Sequence, residues 1–446
     1  MPAIRSALST LVIACSVLTP STAGQNPLAA ERLRRFNDAK FGMFIHWGPY
    51  SLASIEASWP IMRPAKWGIT EAEYRLLPPR FNPVKFQPDD WVRLAQAAGQ
   101  RYMVFTSKHH DGFCMFDSAY TGYKITRTPY GKDILAELAA AARERRMPLG
   151  FYYSPPDMNH PGFRDTSVPA SVNWQGEPER PEWPLYLDYM EVQLRELLTR
   201  YGDVFVIWFD GLGNQRQYDG LRFHRLIREL QPAALINNRI GLPGDFMTPE
   251  QRLPKGIPVK GSQVGATSPA DEGLSSGAPA PQDFQPWETC MTINTTWAYN
   301  TNDTQYKSTT ELIRHLIDAA SKGGNFLLNV GPTPEGLIQP EFEERLRGVG
   351  AWLERNGEAI YGVTYGPLQN LDFGRTTAKG NTVYLHVFDL PAAALEIRGL
   401  RSNVRGVRLL DGNKPLRHAQ NGDRLTIHLG GVSPDRHATV FAIETR

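Results

Sequence analysis

The chain has 446 residues, 41% of them hydrophobic and 21% charged, which is enough to bury a large core in more than one domain and excludes a disordered chain. Its 48 basic and 46 acidic residues leave a net charge of +2, so there is no electrostatic footprint for nucleic acid or an anionic membrane as partner. An aromatic content of 11% suits a sugar-binding surface, and equally a well-filled core.

The first 23 residues read as a signal peptide: Arg5, an apolar stretch from Ala7 to Leu18, then the small residues Ser21, Thr22 and Ala23. The stretch is too short to span a bilayer, and cleavage is expected after Ala23. The "VIAC" run ending at Cys15 also resembles a lipobox, the alternative in which Cys15 carries a lipid. Either route predicts a secreted or periplasmic protein. No later segment approaches 18 uninterrupted apolar residues, so no membrane span is expected. Beyond the signal only Cys114 and Cys290 remain, which is no disulfide framework.

Residues 24–362 alternate helical and strand-like runs. "MFIHWG" is the first strand. The helical "PDDWVRLAQAAGQ" leads into "YMVFTSKHHDG", "DILAELAAAARERRM" into "PLGFYYSP", and "PLYLDYMEVQLRELLTRYG" into "DVFVIWFDG". "GLRFHRLIRELQP" then leads into "AALINNRIG", and "TTELIRHLIDAASKGG" into "NFLLNVGPT". A last helix, "EFEERLRGVGAWLERNGEAI", ends the series. Repeated βα units with strands too apolar to face water predict a parallel sheet closed as a (β/α)8-like barrel, irregular because only six or seven strands are clear. Within it, residues 242–285 form a long loop rich in Pro, Gly and Ser, a length that is usually functional or mobile. From residue 363 to 446 the pattern changes to short alternating strands with Asn, Asp and Gly at the turns, which predicts an antiparallel β-sandwich.

A barrel of this kind places its chemistry at the C-terminal ends of its strands. Several strands end in reactive residues: His46-Trp47, Lys108-His109-His110-Asp111, Tyr152, Trp208-Phe209-Asp210 and Asn237-Asn238-Arg239. The convergence is more specific than any one member. Period-2 alternation puts Trp208 and Asp210 on one face, at the barrel mouth. An Asp-Gly after a strand is often only a turn, so Asp210 alone would be weak. His109 and His110 could ligate a metal, with Lys108 and Asp111 as ion-pair residues. Against metal, adjacent histidines on an extended segment point opposite ways, and neither HxH nor HExxH spacing occurs. The stretch "GGNFLLNVGPTPEG" lacks the lysine of a phosphate loop and reads as structural. Trp47, Trp59, Trp208 and Trp297 are core residues or, at the mouth, sugar platforms. A glycosidase needs two carboxyl groups. Asp210 can be the first. The second is Glu250 in "GDFMTPEQRLP", at the start of the long loop, or Glu288 in "WETCMTIN", inside a strand where a structural hydrogen bond is the plainer role.

Taken in order, "FGMFIHWGPYS", "TSKHHDGF", "GFYYSP", "VIWFDG", "WETCMTIN" and "GGNFLLNVGPTPEGLI" resemble the α-L-fucosidases, glycoside hydrolase family 29, from about Phe36 to Tyr361. The resemblance implies a retaining exo-hydrolase of terminal α-L-fucose on glycans or glycoconjugates, built on a degenerate barrel with an appended β-sandwich and using neither metal nor organic cofactor. It implies Asp210 as nucleophile and His46, Trp59, His109, His110, Tyr152, Trp208 and Arg239 as sugar-contacting residues. The acid/base is implied at Glu250, with Glu288 as the other candidate. Where the family commonly carries Gly-Glu-Trp-Tyr, this chain has Ala57-Ser58-Trp59-Pro60; Ser58 replaces the carboxylate, and Glu56 lies two residues out of register. Two readings of other classes compete. One is a glycan-binding barrel without catalysis or with altered specificity, and the other a metal-dependent barrel hydrolase. Linkage, aglycone and oligomeric state stay open.

Overall fold

The computed structural model describes residues 27–264, 271–369 and 371–446. The signal segment 1–23 and Cys15 lie outside the described residues.

Seven parallel strands form the central sheet: β1 (Phe41–Ile45), β2 (Met103–Lys108), β3 (Leu149–Tyr153), β4 (Val206–Phe209), β5 (Leu235–Ile236), β8 (Glu288–Thr292) and β9 (Asn325–Val330). Their order is β5-β4-β3-β2-β1-β9-β8. A two-stranded hairpin, β6 (Gln263–Val264) with β7 (Asp271–Glu272), lies within the long insertion. Helices precede the strands as the periodicity predicts: Pro88–Ala97 before β2, Ile134–Glu144 before β3, Trp183–Arg200 before β4, Gly220–Leu230 before β5 and Thr309–Ser321 before β9. Their starts are chemically marked. Asp133 and Asp219 cap two of them through their side chains, and Ser308 with Glu311 forms a capping box.

The strands read as continuous apolar runs because each is buried on both faces. Inside the barrel lie Phe44, Val104, Tyr152, Trp208, Cys290 and Leu327. Their neighbours Ile45, Phe105, Phe151, Ile207 and Leu328 face outward against the helices. Cys114 and Cys290 are both free and buried. Among the described residues no helix is long and apolar enough to cross a membrane.

The gap between β5 and β8 is filled by part of the insertion. Asn237 pairs in parallel with Phe246, Met247 with Trp287, and Glu250 with Cys290. Backbone bonds run from Glu288 N to Met247 O at 2.8 Å and from Gln251 N to Cys290 O at 2.9 Å. Residues 246–250 thus act as an irregular eighth strand. This corrects the expectation that Glu250 lies at the start of a long loop: its backbone is part of the barrel wall.

The C-terminal region holds two antiparallel sheets. The larger has the order β10-β11-β12-β18-β14-β15 and the smaller β13-β17-β16. The strands are β10 (Thr364–Tyr365), β11 (Gly374–Lys379), β12 (Thr382–Val387), β13 (Ala394–Ile397), β14 (Val404–Leu409), β15 (Lys414–Leu416), β16 (His418–Asn421), β17 (Arg424–His428) and β18 (Thr439–Thr445). Leu385, Ile397, Leu425, Ile427 and Phe441 fill the space between the sheets.

Candidate active site

Strand β4 alternates as expected. Trp208 points into the barrel, and Asp210, one residue beyond the strand, points the same way at its mouth. Asp210 Oδ2 accepts from the Tyr152 hydroxyl at 2.8 Å, and Oδ1 accepts from Arg239 Nη1 at 2.9 Å. His110 Nε2 lies 3.5 Å from Oδ2. Arg239 follows β5 and is held on every side. Its Nε donates to Thr248 Oγ1 at 2.8 Å, Nη2 donates to Thr248 O at 2.9 Å, and its guanidinium lies 4.8 Å over the Trp208 ring.

Arg239 Nη1 also donates to Glu250 Oε2, at 3.0 Å. One nitrogen therefore bridges two carboxylates, and the bonded oxygens can be no more than about 6 Å apart, which admits the separation of about 5–5.5 Å of retaining glycosidases. The two acids are shifted in opposite senses. Burial raises Asp210, but the Arg239 charge, His110 and the Tyr152 hydroxyl outweigh it and hold Asp210 below the usual aspartate range. Burial raises Glu250 as well, and the neighbouring Asp210 charge adds to it. Together they outweigh the pull of Arg239, leaving Glu250 above the usual glutamate range.

Three histidines form one wall. His46 Nδ1 meets Asn329 Oδ1 at 2.7 Å, His109 Nδ1 meets Ser58 Oγ at 2.5 Å, and His110 Nδ1 meets Ser154 Oγ at 2.7 Å. Each ring is fixed through Nδ1, which leaves Nε2 for a ligand. Burial lowers His46 and His110 to about 4 and His109 well below the usual imidazole range, so all three are neutral imidazoles near pH 7. His109 stacks on Tyr152 at 5.3 Å, and Trp59 meets His110 edge-on at 5.8 Å. Trp297 closes the other side, 4.9 Å from the His46 ring.

The expectation that His109 and His110 point opposite ways is not met: their rings lie 4.3 Å apart on the same pocket. Two local features cause this. The β2–β3 register shifts between Thr106 and Lys108, a bulge that re-aims the residues beyond it. The chain then turns sharply, with Gly112 N donating to His109 O and Gly112 at φ +80°, where a Cβ would meet Asp157 Oδ1 at 2.1 Å. Among the described residues no group of three or more His, Cys, Asp or Glu side chains is placed to hold a metal ion.

The remaining candidates are engaged with other partners. Lys108 pairs with Asp157 at 3.1 Å, both buried, on the outer face of β2. Asp111 accepts from the Tyr74 hydroxyl at 2.6 Å. Trp47 is fully buried and donates to Thr333 O at 2.9 Å. Asn237 pins β4 from both sides, accepting from Phe209 N and donating to Phe209 O. Glu288 is buried in the barrel, accepting from the Tyr102 hydroxyl and from Trp208 Nε1, the latter at 3.0 Å. Burial raises it to about 7, against those two bonds. Its partners are these side chains, not the neighbouring backbone. Sequence reasoning misses Asn329 and Thr248 as site residues. Each sits two residues from a neighbour on the same inward face, Leu327 and Glu250, and that alternation is the signal that could have found them.

A family model described as α-L-fucosidase matches residues 17–358. Plasma α-L-fucosidase of Rattus norvegicus is 32% identical over 358 residues, covering 73% of this chain and 70% of that one. Among solved structures, α-L-fucosidase isoenzyme 1 from Paenibacillus thiaminolyticus superposes with a TM-score of 0.83 at 35% identity, over 94% of this chain and 100% of that chain. A family 29 α-L-fucosidase from Bacteroides thetaiotaomicron, trapped as a covalent intermediate with 2-fluoro-fucosyl fluoride, gives 0.80 at 27% identity, over 96% of this chain and 98% of that one. By the family match and by the span and identity of these relatives, this chain belongs to the α-L-fucosidase family.

Proposed function

We infer that this chain is a retaining exo-α-L-fucosidase acting on the terminal α-L-fucose of an oligosaccharide or glycoconjugate, with Asp210 as nucleophile and Glu250 as acid/base. The observation that carries the reading is the single Arg239 nitrogen shared by the two carboxylates, with Asp210 held down and Glu250 held up. Asp210 attacks the anomeric carbon, its oxygen bonding there as the glycosidic bond breaks. Glu250 gives its proton to the departing oxygen. Glu250, now a carboxylate, takes a proton from water as that water displaces Asp210, which returns α-L-fucose and the starting site. His46, His109, His110 and Tyr152 bind ring hydroxyls, and Trp59 and Trp297 supply apolar walls for the C5 methyl of a 6-deoxy sugar. Trp208 and Arg239 orient the nucleophile. No metal or organic cofactor takes part in these steps.

Glu288 is assigned a supporting part, because both its oxygens are engaged away from Asp210. The signal pattern of residues 1–23 supports a secreted or periplasmic location, and the change of pattern at residue 363 supports a division into a catalytic barrel and a β-sandwich.

The test is Asp210→Gly. The folded variant should lose hydrolysis by several orders of magnitude, and azide should restore turnover as β-fucosyl azide. Proton NMR of the wild-type reaction should show α-L-fucose as the first product. Substantial activity in the variant, or β-fucose first, overturns the assignment.

A further inference from the structure

Glu56 has no part in the steps above, yet it is a buried carboxyl group at the edge of the site, 8% exposed. Both its oxygens accept from the backbone N–H of Trp297, at 2.9 and 3.1 Å. The other end of Trp297 is also held. Its carbonyl accepts from Asn329 Nδ2 at 2.6 Å, and Asn329 Oδ1 is the partner of His46 Nδ1. Gly331, just past β9, lets the strand end close on this turn: a Cβ there would lie 2.9 Å from Trp297 O and 2.5 Å from the Ala298 carbonyl carbon. Asp303 ties the preceding residues through Thr295 N at 2.8 Å and Thr296 Oγ1 at 3.0 Å. Held in this way, the Trp297 ring packs on His46, and its indole helps to draw the Glu250 carboxyl downward, against burial.

We propose that Glu56 is a positioning residue for the hydrolysis: by clamping the main chain of Trp297 it sets the indole against Glu250 and His46. This rests on the assignment of Glu250 as acid/base. A buried carboxyl group is a costly partner for one amide, which a backbone carbonyl would satisfy as well. What the carboxyl adds is an acceptor on a side chain 241 residues away in sequence, which ties the turn after β8 to the turn after β1. Position 58, where the family resemblance leads one to expect a glutamate, is Ser58 and serves His109 instead. The pocket wall thus gains its carboxyl group two residues earlier and by a main-chain contact. Burial pushes Glu56 up to about 8, so near neutral pH it carries its proton, a form that glutamine mimics in shape and acceptor.

The experiment compares kcat/KM on a fucosyl disaccharide and on an aryl fucoside with a good leaving group. Removing proton donation hurts the first far more than the second. Glu250→Ala should show that bias strongly. Glu56→Ala and Trp297→Phe should show the same bias at about tenfold, and Glu56→Gln should recover most of the loss. Trp297→Phe keeps the main-chain clamp and the ring, so it reads the link even if Glu56→Ala does not fold. Equal losses on both substrates in Trp297→Phe and Glu56→Ala, with the bias intact in Glu250→Ala, overturn the role of Glu56 alone. If Glu250→Ala shows no bias, the acid/base assignment fails and the role of Glu56 fails with it.

Discussion

Arg239 holds two carboxyl groups a few ångströms apart whose pKa values are shifted in opposite senses, and in the proposed mechanism this sets the pH dependence. Asp210, as the proposed nucleophile, must be ionised and is held below the aspartate range, so activity should fall only at strongly acid pH. Glu250, as the proposed acid, must keep its proton and is held above the glutamate range, so activity should fall as pH rises through that higher value. His46 and His110, near 4, gain protons on the acid side and steepen that limb. The expected kcat/KM profile is a bell whose limbs belong to a coupled pair. Glu250→Gln should erase the alkaline limb and keep the acid one; an unchanged alkaline limb would refute the assignment. Glu288 allows a second check. Its raised carboxyl is neutral and without cost below the unfolded value near 4.5, and it destabilises the fold increasingly as pH rises to about 7. Glutamine can accept from Trp208 and donate to the Tyr102 oxygen, so Glu288→Gln should keep activity and gain about 3 kcal/mol above pH 7, read by urea melts at two pH values. Loss of turnover with leaving-group bias in Glu288→Gln would return it to contention as acid/base. At this scale Asp210 and Arg239 are legible in the sequence, because strand alternation and a polar residue closing an apolar run are local signals. The choice between Glu250 and Glu288 is not, since it depends on which carboxyl Arg239 reaches.

Most elements obey their periodicity, and the exceptions have local causes. Residues 246–250 read as loop because the segment is short, contains Pro249 and shows no alternating apolar pattern. Its strand role comes from the unpaired edges of β5 and β8 on either side. The joint orientation of His109 and His110 depends on a bulge at Ser107 and the turn at Gly112, neither of which has a clear period. The buried pair of Lys108 and Asp157 braces this same corner, with the ammonium 4.4 Å over the Tyr153 ring. Asp157→Ala should leave that ammonium buried without its carboxylate and cost about 3–5 kcal/mol in a denaturant titration. It should also lower activity, because the strand end carrying the histidines loses its brace. A change under 1 kcal/mol would mean that the ring and water suffice for Lys108.

At the scale of the molecule, the sequence places a change of architecture at residue 363 but says nothing of how the two regions meet. They meet over the last two helices of the barrel. Trp352, on Pro340–Asn356, is buried to 1% and donates to Ala438 O at 3.1 Å. It shares one apolar cluster with Tyr384, Val440 and Ala442 of the sandwich. Around it, Arg314 donates to His437 O at 3.1 Å and Phe388 O at 3.0 Å, and Arg375 pairs with Asp318 at 2.5 Å. An apolar contact ringed by such bonds couples the two regions energetically, so the protein should unfold in one calorimetric transition. Trp352→Ala removes the central side chain and should lower stability by about 3–5 kcal/mol while leaving the transition single. A chain ending at residue 362 should expose the apolar face of both helices and aggregate. Two transitions in the wild type, with Trp352→Ala moving only one, would show that the sandwich folds apart from the barrel. A soluble, active fragment ending at residue 362 would show the same from the other side.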